Sequence, residues 1–108
     1  VSNDGLEQEQ GADEDIRAKL NRETGKISWH ELEKHFASGN VVFVSPELDL
    51  IEVAYQVSQD NKTAVEAWVK AQQLGAATDE QAAQWCASNI ELWAVVVAPL
   101  VLVQPVKQ

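Results

Sequence analysis

The C-terminal stretch Leu92-Trp93-Ala94-Val95-Val96-Val97-Ala98-Pro99-Leu100-Val101-Leu102-Val103-Gln104 constrains this chain more than any other segment. It is nearly all apolar and strongly β-branched. Branched side chains crowd a helix but pack well on a pleated surface, so the run reads as strand. Its apolar residues do not alternate with polar ones, so the strand should be buried on both faces. Pro99 has no N–H for a ladder and marks a bulge, a bend or an edge. Two strand pieces are expected, over about 93–98 and 100–104. With Pro99 inside it, the run Ala94 to Val103 is half the length a membrane helix needs.

Such strands need helices over them, and the sequence supplies several. Asp13, Glu14 and Asp15 precede Ile16 and Leu20, an i, i+4 apolar pair, which predicts a helix over about 13–22. Ser28 and Glu31 match a capping box, and Trp29, Leu32 and Phe36 share one face up to Gly39, which predicts a helix over about 29–38. Val41-Val42-Phe43-Val44 is a short buried strand that should pair with a C-terminal piece. Ser45 as cap, Pro46 at the first position and Glu47 and Asp49 in the first turn predict a helix to about Gln59. Its apolar stripe is Leu48, Ile51 and Tyr55. Asp60 or Asn61 starts another, with Val65, Trp68 and Val69 inward and Gly75 as the stop. Thr78 and Gln81 match a second capping box, opening a helix to about Ser88 with Ala82, Trp85 and Cys86 inward. The expected fold is α+β, four or five helices packed on a small two- or three-stranded sheet.

Length and charge narrow the class. The chain has 108 residues, enough for one domain, expected over 13–108 behind a disordered acidic tail over 1–12. The tail has no positive region and no apolar core of a signal peptide, and it starts with Val rather than Met, as a trimmed chain would. Asp and Glu number 17 against 8 Lys and Arg, and no basic stripe occurs, which argues against nucleic acid and anionic membranes as partners. Cys86 is the single cysteine, so neither an intrachain disulfide nor a C-x-x-C pair exists, and a small buried hydrophobe is the expected role. The setting compatible with this is a reducing cytoplasm.

The stretches Leu20-Asn21-Arg22-Glu23-Thr24, Ser28-Trp29-His30-Glu31-Leu32, Ser45-Pro46-Glu47-Leu48-Asp49-Leu50, Trp93 to Pro99 and Val101-Leu102-Val103-Gln104 carry a resemblance. Together they resemble an uncharacterised bacterial family, domain of unknown function number 2288, over roughly Ile16 to Gln104. Leu100 departs from its pattern, which has a bulky aromatic after the proline. The resemblance implies a bacterial, cytoplasmic protein and implies no activity.

Few residues invite chemistry. His30, Glu31 and His35 form H-E-x-x-x-H, one residue longer than the zincin motif. Five residues turn a helix by about 140°, so the two imidazoles cannot chelate one zinc, although Glu31 and His35 can pair. Glu47, Asp49 and Glu52 form an acidic cluster, and Asp49 and Glu52 at i, i+3 could share a site for acid/base work or a divalent ion. Helix-dipole complementarity explains the same acids more simply. Asp60 is expected to cap the next helix. The candidate polar cluster is therefore Asp49, Glu52 and His35, with no catalytic, cofactor or metal residue assigned and no cofactor expected. Trp29, Trp68, Trp85 and Trp93 are expected to fill the core rather than line a pocket. No phosphate-binding Gly loop, nucleophile elbow or dinucleotide fingerprint occurs.

The leading expectation is a small non-enzymatic interaction or accessory domain, with a homodimer through the C-terminal strand as its specific form. The alternative is a small-ligand-binding or metal-dependent enzyme using Asp49, Glu52 and His35. The third is an acidic mimic or a binder of a basic partner, suggested by the net charge of −9.

Overall fold

The computed structural model describes residues 15–106. The expected acidic tail over 1–12 and the first two residues of the expected first helix lie outside the described residues. Residues 15–23 are helical (α1). The elements that follow are β1 (Gly25–Ser28), α2 (Trp29–Ala37), β2 (Val41–Val44), α3 (Leu50–Ser58), α4 (Lys62–Lys70), β3 (Leu74–Ala76), α5 (Asp79–Ser88), β4 (Glu91–Val97) and β5 (Leu100–Pro105).

The fold is α+β, and its sheet has five strands rather than the two or three expected. Their order is β1-β4-β5-β2-β3. Every pairing is antiparallel except β2 with β5, where Val41, Val42 and Phe43 run parallel to Val101, Leu102 and Val103. The C-terminal run forms β4 and β5, two of the three strands flanked by others on both sides, as its unbroken apolar character predicts. Ala98 and Pro99, joined by a cis peptide, make the two-residue turn between them. The two strands missed from sequence are the edges, β1 (Gly-Lys-Ile-Ser) and β3 (Leu-Gly-Ala).

Helices cover both faces of the sheet. On one side Leu20 of α1 and Leu50, Val53, Ala54 and Tyr55 of α3 pack on Val44, Leu74, Val95 and Leu102, with Val65 and Trp68 of α4 at the margin. On the other side Trp29 and Leu32 of α2 and Ala82 and Trp85 of α5 pack on Val41, Leu92, Ala94, Val101 and Val103. Trp29 lies 5.5 Å from Phe36 and 6.1 Å from Trp85 between ring centroids, spacings at which aromatic pairs attract.

Several local expectations change. Ser28 is the N-cap residue of α2, but its side chain makes no capping bond. It is also the last residue of β1, paired with Glu91. Helix α3 begins at Leu50 rather than near Pro46, and Asp49 is its cap. Helix α4 ends at Lys70, and Gly75 falls inside β3. The Thr78–Gln81 capping box forms as expected. Cys86 is exposed, not buried. Trp29 and Trp85 are core residues, Trp68 is half-buried, and Trp93 remains 36% exposed.

Candidate functional site

The acidic cluster lies at the start of α3 and in the turn before it. The Asp49 carboxylate accepts from the backbone N–H groups of Ile51 (3.0 Å) and Glu52 (3.3 Å) through the same oxygen, Oδ1. These are donors that the helix itself leaves without partners, so the side chain acts as a cap. Glu52 points elsewhere. Arg17 Nη2 donates to Glu52 Oε1 at 3.4 Å, and Arg17 Nε lies 3.3 Å from Oε2 as an ion-pair contact without hydrogen-bond alignment. Gln56 Nε2 also donates to Glu52 Oε1, at 2.8 Å. The Arg17 guanidinium rests over the Tyr55 ring, 4.1 Å from its centroid, so Glu52 helps hold α1 on α3. Glu47 accepts from Gln73 Nε2 at 3.3 Å. Asp60 occupies the α3–α4 turn with φ +56°, and Asn61, not Asp60, caps α4.

His35 belongs to the other face of the sheet. It lines a hollow with Glu31, Lys26, Ala94 and Val96, whereas Asp49 lines one with Asn21, Thr24, Trp93 and Gln104. Asp49, Glu52 and His35 are therefore not brought together. Among the described residues no group of three His, Cys, Asp or Glu side chains is arranged to hold a metal ion. Glu31 and His35 form no ion pair among the described residues, where the pairs are Arg17–Glu52 and Lys19–Glu23.

Two of the stretches that carry the family resemblance meet in a structural latch. Gln104 Nε2 donates to the carbonyl oxygens of Ser45 (2.8 Å) and Leu48 (2.7 Å). The Val-Leu-Val-Gln end of β5 thus ties down the Ser-Pro-Glu-Leu-Asp-Leu turn, and Asp49 then starts α3.

The feature that sequence reasoning missed is an apolar hollow of about 330 Å³ beneath α4. Its walls are Val42, Val57, Val65, Leu74, Leu100 and Leu102, with Val69 at 49% exposure beside them. Asp60, Lys62 and Glu66 stand on its rim. The hollow has a sequence cause. Helix α4 (Lys-Thr-Ala-Val-Glu-Ala-Trp-Val-Lys) brings one large apolar side chain, Trp68, and otherwise Ala and Val, and none of its residues is buried. Short side chains over a sheet leave space that longer ones would fill. The scarcity of Leu and Ile in α4 is the signal that was available.

Comparison with known proteins agrees with this fold. The family model described as Protein of unknown function (DUF2288) matches residues 15–105. The NMR solution structure of PA1075 from Pseudomonas aeruginosa is similar, with 39% sequence identity, a TM-score of 0.77 and 86% of each chain covered. No curated protein matches.

Proposed function

Because the chain belongs to the family described as Protein of unknown function (DUF2288), whose description names no activity, we propose from its surface that it is a small non-enzymatic interaction domain. The hollow beneath α4 is its binding site. One observation carries the reading: about 330 Å³ of space walled by aliphatic side chains, open to solvent beside an exposed Val69. Water in such a place finds few hydrogen-bond partners, so an apolar group that replaces it gains. Asp49 and Glu52 are engaged in capping and helix docking, which leaves the acidic cluster less suited to catalysis than the hollow is to binding.

The reading includes one folded domain over 13–108 in a bacterial, cytoplasmic setting. What supports it is the relative from Pseudomonas aeruginosa and the single cysteine.

The test uses a small neutral probe, isopropylbenzene, titrated into the full chain and followed by amide NMR. Saturable shifts at Val65, Val69 and Leu100 are expected. Ala76→Ile, which extends a side chain into the hollow from the floor, should abolish them. Shifts that never saturate, or that fall on residues away from α4, β3 and the β4–β5 turn, overturn the reading.

A homodimer is the second reading, and one observation favours it. Strand β4 outruns β1, whose pairing ends at Gly25 with Ala94, so no strand of the described residues meets Val95–Val97 on that side, and Val96 is 56% exposed. Leu92–Ala94 of β4 and Val101–Val103 of β5 are flanked on both sides, which leaves Val95–Val97 as the longest open piece of the hairpin. Light scattering coupled to size exclusion checks it, and a strict monomer at the highest soluble concentration removes it.

A further inference from the structure

We infer that the hollow beneath α4 receives an extended polypeptide segment that pairs with the outer edge of β3 and carries an aliphatic side chain flanked by lysine or arginine. The inference rests on reading the hollow as the binding site, and adds what binds there and how.

The backbone of β3 points to a polypeptide. In an antiparallel pair, residues that exchange both bonds with the partner strand alternate with residues whose N–H and C=O point away. Ser45 N–H donates to the Gln73 carbonyl, and Ala77 N–H donates to the Val41 carbonyl. The bonded positions are therefore Gln73, Gly75 and Ala77, opposite Ser45, Phe43 and Val41. Leu74 and Ala76 then turn their N–H and C=O groups away from β2. Strand β3 ends the sheet order, so no strand of the described residues meets those groups. The two edges also differ in side chains. Strand β1 carries Lys26, a charge that discourages pairing, while β3 is Leu-Gly-Ala and carries none. A sheet edge beside a hydrophobic hollow suits strand addition, in which main-chain bonds give affinity and alternate side chains enter the pocket.

The hollow sets what those side chains are. Its volume is about twice the ~150 Å³ of a cavity that holds benzene, so a Leu or Ile fits with room for a second apolar group. The walls Val42, Val57, Val65, Leu100 and Leu102 offer no side-chain hydrogen bond, so a polar side chain entering there loses water without replacement.

The rim sets the flanking charge. It holds two carboxylates, Asp60 and Glu66, against one ammonium, Lys62. Neither acid is in an ion pair among the described residues. The net charge of −9 adds a long-range field of the same sign, which attracts a cationic segment and repels an anionic one.

Three acetylated, amidated synthetic peptides test this on the full chain by amide NMR at low salt: a Lys-flanked Val-Leu-Val peptide, its Glu-flanked twin, and the Lys-flanked peptide N-methylated at alternate amides. The Lys-flanked peptide should bind with shifts at Leu74–Ala76 and along α4. The Glu-flanked twin should bind at least about tenfold more weakly, and the N-methylated peptide should not bind. Two variants separate the parts. Ala76→Pro removes only an outward N–H, which an edge strand tolerates. It should fold and lose the peptide, and the N-methylated peptide, which leaves the hollow unaltered, separates lost edge pairing from a changed floor. Asp60→Asn with Glu66→Gln keeps a residue type suited to positive φ at 60 and should narrow the gap between Lys and Glu flanks. Equal binding of the Lys- and Glu-flanked peptides overturns the basic partner, and undiminished binding by Ala76→Pro overturns edge pairing. Isopropylbenzene binding without any peptide binding overturns this inference alone; failure of both overturns the binding site itself.

Discussion

Gln104 shows how one side chain can decide where a helix starts. Its amide bonds to the Ser45 and Leu48 carbonyls hold the chain from Ser45 to Leu48 in a turn. Ser45, Pro46 and Glu47 have the composition of a helix start, yet α3 waits until Asp49 can cap it. Replacing Gln104 with Leu leaves partly buried carbonyl oxygens without that donor. A loss of about 1–3 kcal/mol is expected, read as a lower urea midpoint with an unchanged slope. Asp49→Ala removes a cap and should lower stability by about 1 kcal/mol. Calorimetric titration with Mg²⁺ or Ca²⁺ should show the same absence of site binding before and after that substitution. A divalent ion bound by the parent chain and lost in Asp49→Ala would reinstate the acidic cluster as a metal site. The carboxylates were legible in the sequence, but their duties were not. Capping a helix and ligating an ion call for the same residue type, and only the positions of the Ile51 and Glu52 amides distinguish them.

At the scale of elements, packing and sequence pattern agree wherever a segment is long and apolar. Strands β4 and β5 and helix α2 follow from local pattern because burial demands it, and the Thr78–Gln81 capping box follows because the first amides of α5 need acceptors. The short edge strands do not. Gly-Lys-Ile-Ser and Leu-Gly-Ala carry too little hydrophobic signal, and they exist because β4 and β2 offer them a ladder. A neighbour of that kind is invisible from within four residues of sequence. The same contrast predicts mutational sensitivity. Leu102 in β5 is fully buried, so Leu102→Ala should destabilise by about 2–5 kcal/mol. Val96 in β4 is 56% exposed, so Val96→Thr should stay within about 0.5 kcal/mol. Comparable losses at both sites in chemical denaturation would mean that the Val96 face is covered in solution, which is what the homodimer requires. Hydrogen exchange should rank the elements in the same sense, slowest in the hairpin and fastest in α4, which buries no residue.

For the whole molecule, the consequence of two hydrophobic layers on one sheet is coupling. The α1, α3 and α4 side and the α2 and α5 side share no core residue. Yet both rest on β4 and β5, with Val95 and Leu102 facing one way and Ala94, Val101 and Val103 the other. Unfolding either layer exposes one face of the strands that hold the other, so neither layer can leave alone without stripping the sheet of cover. A single two-state transition is expected. Trp29 and Trp85 report on the α2–α5 layer, so Trp68→Phe with Trp93→Phe confines the fluorescence to that side. Methyl resonances of Val53 and Leu50 report on the opposite layer. Urea midpoints from the two probes should coincide with each other and with the loss of helical circular dichroism. If the α2–α5 layer melts at lower urea than the α3 methyls, the sheet does not transmit its cover, and the two faces are separate units that happen to share a floor. Helix α4 is where a departure is most readily tolerated, because it sits on the margin of one layer above space that its own side chains leave unfilled. Loosening there before the main transition would leave the midpoints of both layers unchanged. The binding site proposed under that helix rests on the same imbalance that leaves the hollow open. The sheet's floor is fully apolar, and the helix above it brings too few large side chains to close it.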